Sequence, residues 1–108
     1  MLSDSEALQA AIDRDGASVI SGATDELRAV RRCNTRPYTP DNLVTVTLDE
    51  SYRLADDLTL KRIGGDRGWF VRGHEEPEAV PVKYPDGKHY RLDRFGNRAE
   101  VRVERRSR

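Results

Sequence analysis

From Leu43 onward the apolar residues recur at every second position, and no other feature of the sequence restricts the fold as much. Val44, Val46 and Leu48 alternate with Thr45, Thr47 and Asp49, the pattern of a strand with one buried face. Near the C-terminus, Tyr84-Pro85-Asp86-Gly87-Lys88 places proline and glycine where a type I turn with a G1 bulge requires them. That turn sets Tyr84 opposite Lys88, Val82 opposite Tyr90 and Val80 opposite Leu92, with both apolar pairs on one face. At the next turn, a two-residue loop at 96–97 would set Asp93 against Glu100 and Arg91 against Arg102, with like charges opposed. A four-residue loop at 94–97 instead sets Asp93 against Arg98 and Arg91 against Glu100, with Tyr90 against Val101 and Leu92 against Ala99. The four-residue loop is therefore expected, followed by a last strand over 98–104.

Between these anchors, residues 52–55 read as a strand. Residues 58–63 and 69–72 read as two more, joined by the glycine-rich stretch 64–68. Leu60 would then face Val71, and Arg62 would lie over the Trp69 indole.

The N-terminal third follows a different period. Ser3-Asp4-Ser5-Glu6 matches a capping box, and Ala7, Leu8, Ala11 and Ile12 share one helical face up to a stop at Gly16. Residues 17–21 read as a brief strand or a linker. Thr24, with Asp25 and Glu26 after it, suggests a second helix ending near Cys33, with Leu27 and Val30 on one side and Arg28, Arg31 and Arg32 on the other. Pro37 and Pro40 exclude helix and central strand from 34–42.

The expected fold is α+β: one or two N-terminal helices, then an antiparallel meander of about six strands, as an open sheet or a small barrel. The 108 residues suit a single domain. Within it, 1–36 form a helical segment, 37–42 a connector, 43–104 the meander and 105–108 a basic tail. The run from Tyr84 through Asn97 to Val103 resembles one YD-type hairpin unit of Rhs proteins. It covers a small part of the chain, rests on generic turn residues and implies no function.

Chemistry-bearing motifs are sparse. Cys33 is the single cysteine, which leaves no intramolecular disulfide and no thiolate zinc set. His74 and His89 lack metal-ligand spacing with it or with each other. The acidic pairs Asp49-Glu50, Asp56-Asp57 and Glu75-Glu76, with Glu78, read as solvated strand ends. Residues 64–68 lack the lysine of a phosphate-binding loop. No catalysis, cofactor or metal is expected. No apolar run has the length of a membrane span, and the first ten residues are acidic, so no secretory signal is expected and the cytoplasm is the default.

Charge supplies the functional reading. The net charge is zero, yet residues 1–27 carry six acids against Arg14 alone. Arg28, Arg31, Arg32 and Arg36 follow with no acid among them. Sixteen of the nineteen basic residues are arginine, a bias that a GC-rich genome explains and that fork-shaped recognition of carboxylate or phosphate would also favour. With 36% hydrophobic residues the core is lean, which leaves apolar surface for a partner or a second copy. These features point to a small non-catalytic protein–protein interaction module or accessory protein of the kind found in phages and mobile elements. Arg28, Arg31, Arg32 and Arg36 are its partner-binding residues, helped by Tyr38 and the Glu75–Glu78 loop. The alternative is a nucleic-acid binder using Arg28, Arg31, Arg32, Arg105 and Arg106.

Overall fold

A computed structural model describes residues 2–103. Helix α1 spans Asp4–Asp15. Strand β1, Leu27–Arg31, pairs antiparallel with β2, Leu43–Thr47, and two helices follow, α2 (Leu48–Asp56) and α3 (Leu58–Asp66). Strands β3 (Val82–Lys83), β4 (His89–Leu92) and β5 (Arg98–Val101) form a second antiparallel sheet in sequence order. The class is α+β as expected. Among the described residues the architecture is three α-helices and two small sheets, neither closed into a barrel, in place of one six-stranded meander.

Helix α1 begins as its capping box dictates. Ser3 Oγ accepts from the Glu6 N–H at 3.2 Å, and Glu6 accepts from the Ser3 N–H at 2.9 Å. It ends at Gly16, whose φ of 67° satisfies the left-handed cap. Its small residues Ala7 and Ala11 pack against Leu43, so the helix covers the sheet of its own chain.

The second expected helix is strand β1. Its register, Leu27 to Thr47 through Arg31 to Leu43, shows why. Strand β2 is buried on both faces, and its inward-directed backbone groups need ladder partners that only a second strand supplies. Residues 17–21 form a turn, in which Gly22 N–H bonds Ser18 O and Val19 N–H bonds Thr45 O.

Two expected strands are helices. Thr47 caps α2 with Glu50 as a second capping box, and Asp57 caps α3 by accepting from the Leu60 N–H at 3.0 Å. Glu50 also takes a 2.5 Å bond from the Ser18 hydroxyl, tying the 17–22 turn to the β2–α2 junction. Residues 69–72 form no strand: the N–H groups of Trp69 and Phe70 both bond Gly64 O. Leu60 and Arg62 therefore do not pair with Val71 and Trp69, and Arg67 lies over the indole instead, at 5.9 Å. Gly64, in the last turn of α3, lies against this loop, where a Cβ would stand 2.5 Å from the Phe70 ring. Leu54, Leu60 and Trp69 then meet Val44, Val46, Val82, Tyr84 and Leu92 in one core.

The C-terminal hairpin keeps Val82 opposite Tyr90, with Tyr84 N–H bonding Lys88 O. Val80 lies outside the ladder, at the end of a 3-10 turn over Pro77–Ala79. The following turn is a three-residue loop, Arg94 to Gly96, in place of the expected four. Asp93 N–H bonds Asn97 O at 3.1 Å, and Leu92 faces Arg98. Gly87 and Gly96 both have φ near the left-handed region, at 85° and 89°, so the two turns are of one kind. The charge argument failed because Arg98 does not need Asp93. Its guanidinium lies over the Tyr84 and Tyr90 rings at 4.7 and 4.4 Å. Strand β5 ends at Val101, so Arg102 and Val103 are not in the strand expected over 98–104, and Glu104 with the basic tail lies outside the described residues.

Arg32 links the two halves. The residue is 2% exposed and donates to Gly68 O (2.9 Å), Asp41 O (2.8 Å), Pro77 O (2.9 Å) and Val80 O (2.6 Å). Burial, with Arg14 nearby, lowers its pKa to about 10, which leaves it charged at neutral pH. Arg32→Met should lower stability by at least about 3 kcal/mol, because several buried carbonyls lose their donor. Arg32→Lys should recover only part, since an ammonium lacks the planar fork. Urea unfolding followed by tryptophan fluorescence measures both.

Glu50 supplies a pH dependence. Burial opposes its ionisation, but the bonds from Ser18, Ser21 and Thr47 prevail and hold its carboxyl below the ordinary value. A depressed folded-state value contributes stability above the ordinary carboxylate range and loses it as pH falls through the depressed value. Glu50→Gln should therefore be less stable than the parent at neutral pH, and the two should converge under acid in a series of thermal melts.

Candidate functional site

The proline-flanked connector is held by one side chain. Asn42 is 1% exposed. Its amide donates to the carbonyls of Cys33, Arg36 and Pro37, and its oxygen accepts from the Cys33 N–H at 2.9 Å. The loop bends around this amide, and Thr39 hydrogen-bonds Asp41 beside it. Tyr38 is half-buried against the Ala7, Ala11 and Leu43 cluster, with its ring under the Arg31 guanidinium at 4.7 Å, while Arg31 also donates to Arg36 O.

The first residues of the chain and the β4–β5 turn line a groove together with the connector. The Asp93 carboxylate shapes that turn by accepting from the N–H groups of Phe95 and Asn97, each at 2.9 Å. Partial burial opposes its charge, but those N–H groups hold the carboxyl below its ordinary value. The result projects Phe95 into solvent, 76% exposed, with Leu2 also open at 41%. This groove, of about 580 Å³, is lined by Pro37, Tyr38 and Pro77 together with Leu2 and Phe95.

The polar margin of the groove is loosely paired. Arg36 forks onto Glu76 at 3.3 and 3.4 Å and reaches Gly73 O at 3.4 Å, while its Nε is buried with no acceptor. Arg94 pairs with Glu78 at 3.7 Å. These long contacts leave capacity for a further acceptor at Arg36.

The four arginines expected to form one face are dispersed. Arg28 is exposed on β1, Arg31 is engaged by Tyr38, Arg32 is sealed in the interior and Arg36 lines the groove. A helical arginine face does not exist because the segment is a strand, whose alternate residues point to opposite sides. Arg105 and Arg106 lie outside the described residues. Tyr38 and Glu76, named as contact residues from sequence, do come together with Arg36. Leu2, Arg94 and Phe95 were not anticipated; the signal for Phe95 was an aromatic residue at a turn position with no place in the apolar alternation.

The residues considered for catalysis are not assembled. His74 is exposed in a loop, His89 is half-buried in β4, and Cys33 is buried just after β1 with its Sγ 3.1 Å from Thr35 Oγ1. Tyr52 and its flanking acids lie on helices, where sequence had placed a strand. Among the described residues no three His, Cys, Asp or Glu side chains gather as a metal site, and no helix is long and apolar enough to cross a membrane.

Comparison with protein-family models, with curated proteins and with solved structures finds no match. The groove must be read from its own chemistry.

If Leu2 and Phe95 serve a surface rather than the fold, removing them is inexpensive. The double variant Leu2→Ser/Phe95→Ser should keep its urea midpoint, with a change within about 0.5 kcal/mol, the range for substitutions away from structural contacts.

Proposed function

We propose that this chain is a non-catalytic interaction module that holds an extended segment of a partner protein in the groove between the connector and the β4–β5 turn. The observation that carries the reading is Phe95, a large apolar side chain held out at 76% exposure by a well-braced turn. It lines the same groove as Tyr38, whose ring carries the Arg31 guanidinium. Aromatic anchors of this type dominate the energy of protein interfaces and bring little flexibility to lose.

The segment that fits is apolar at one position, to lie among Tyr38, Phe95 and Leu2. Next to it a backbone carbonyl or side-chain oxygen would meet Arg36. The terminal nitrogens of Arg36, held by contacts of only 3.3–3.4 Å, are the donors such an acceptor would meet. The groove's prolines hold the wall in place and reduce the ordering cost of binding. A phosphate-gripping face built from Arg28, Arg31 and Arg32 is harder to support, because Arg32 faces four interior carbonyls.

The test uses the immobilised chain and its Leu2→Ser/Phe95→Ser variant against the proteome of the native source. Proteins retained by the parent and lost by the variant should appear, and the purified partner should bind the variant at least about thirtyfold more weakly in calorimetry, the scale of a lost hot spot. Equal retention by both forms refutes the groove. Binding of mixed-sequence RNA or DNA that falls steeply with salt, with no such protein, refutes the reading altogether.

A further inference from the structure

The two edges of the N-terminal sheet are treated differently by the rest of the chain. On β2 the residues directed away from β1 are Leu43, Thr45 and Thr47, and each is engaged. Arg14 donates to Leu43 O, Asp15 accepts from the Thr45 N–H, Val19 N–H bonds Thr45 O, and Glu50 accepts from the Thr47 N–H. Backbone direction alternates along a strand, so the register with β2 turns Leu27, Ala29 and Arg31 away from the pair. Among the described residues none of their N–H or C=O groups has a partner. Strand β5, the outer strand of the other sheet, carries exposed Arg98 and Glu100, the charged residues that discourage strand addition. Strand β1 also carries two arginines, Arg28 exposed, but its Leu27, Ala29 and Val30 are half-buried, with Ala29 and Val30 packed on the core clusters.

We propose that this edge pairs with the same edge of a second copy, antiparallel and centred on Ala29, to make one continuous four-stranded sheet. The occupant follows from register and charge. Centring on Ala29 sets Leu27 of each copy against Arg31 of the other and Ala29 against Ala29, which uses all three outward residues as narrow pairs, each exchanging two hydrogen bonds. Arg28 then faces Val30, and no two arginines are opposed. Centring on Arg28 would oppose Arg28 to itself, and centring on Val30 would set Arg28 against Arg32; each also leaves an outward residue unpaired. In the Ala29 register, Arg31 faces Leu27 of the other copy and so lies near Asp25 and Glu26, exposed residues that precede that strand, where Glu26 turns the chain at φ 49°. The acidic residues that precede the strand thus meet the basic residue that ends it, in both copies at once, as a two-fold interface requires. This surface is independent of the groove, and neither Ala29 nor Asp25 lines that groove.

Sedimentation velocity from micromolar to millimolar concentration, with backbone hydrogen exchange at both extremes, tests the proposal. The expected result is a reversible dimer in which the amides of Leu27, Ala29 and Arg31 become protected as concentration rises. Ala29→Pro removes the central outward donor from an edge strand, a position where proline is tolerated, and should weaken the dimer at least about tenfold. Asp25→Arg, in an exposed segment, should weaken it in the same direction with an unchanged urea midpoint, and decides the matter if the proline variant does not fold. A monomer at millimolar concentration overturns the proposal. So does a dimer indifferent to Asp25→Arg, or one that protects other amides. A monomer whose three amides become protected only on adding a different protein assigns the edge to that protein and overturns self-pairing.

Discussion

A single buried guanidinium holds the first sheet to everything that follows it. Arg32 stands one residue beyond β1, and its four acceptors come from the connector, the end of α3 and the loop before β3. These are segments with little regular structure, and of the four carbonyls only Pro77 O also takes a backbone N–H, from Val80. An arginine suits this task because its planar fork supplies several donors in fixed directions and stays charged when buried. Burying that charge is costly. Here the opposing charge is distributed over carbonyl dipoles, and Trp69, Val71 and Val82 pack tightly in the same interior.

A second buried cluster orients the two sheets. Arg14 and Asp15, with side chains 2% and 0% exposed, stand at the end of α1. Arg14 reaches Pro40 O and Leu43 O, Asp15 takes the Thr45 N–H, and the Tyr84 hydroxyl donates to Asp15. Burial raises the Tyr84 pKa, and the neighbouring Asp15 carboxylate raises it further, so the hydroxyl remains a donor at any ordinary pH. Helix, first sheet and C-terminal hairpin therefore converge on one carboxylate. The lean apolar supply of the sequence is supplemented by polar groups that are almost all satisfied.

What the sequence disclosed was local. The Ser3–Glu6 box and the Tyr84–Lys88 turn are short motifs whose chemistry is complete within a few residues, and both formed as expected. Thr47-x-x-Glu50 is a motif of the same kind, obscured because the alternation of Val44, Val46 and Leu48 ran past it. Leu54, Leu60, Ile63 and Gly64 were equally open to helical reading, but the paired glycines suggested a turn. Only the Phe70 ring against Gly64, a contact outside the helix itself, explains that glycine. Strand β1 could not be recovered locally: alternation in Leu27–Arg31 suits either structure, and the deciding requirement belonged to β2. The second turn was misread by a charge argument although its glycine lies at the same offset in Asp93-Arg94-Phe95-Gly96-Asn97 as Gly87 does in the first. Of the site, Arg36, Tyr38 and Glu76 were visible as polar or aromatic residues near prolines. Phe95 and Leu2 needed the three-dimensional meeting of chain start and last hairpin.

The arginines illustrate why charge clusters mislead in a chain of this size. A small domain has few interior positions, and irregular segments bring many backbone carbonyls into them. An arginine next to a strand end is then as useful to folding as to a ligand, and nothing in composition separates the two uses. The edges separate them better. An edge that faces the interior must be satisfied internally, which is why Arg14, Asp15 and Glu50 all serve β2. An edge that faces water is satisfied by water, so folding places no demand on its outward backbone groups. On β1 the side chains serve the fold, Val30 against the main core and Ala29 against α1 and Leu43, while the outward N–H and C=O groups of the strand are left for strand addition.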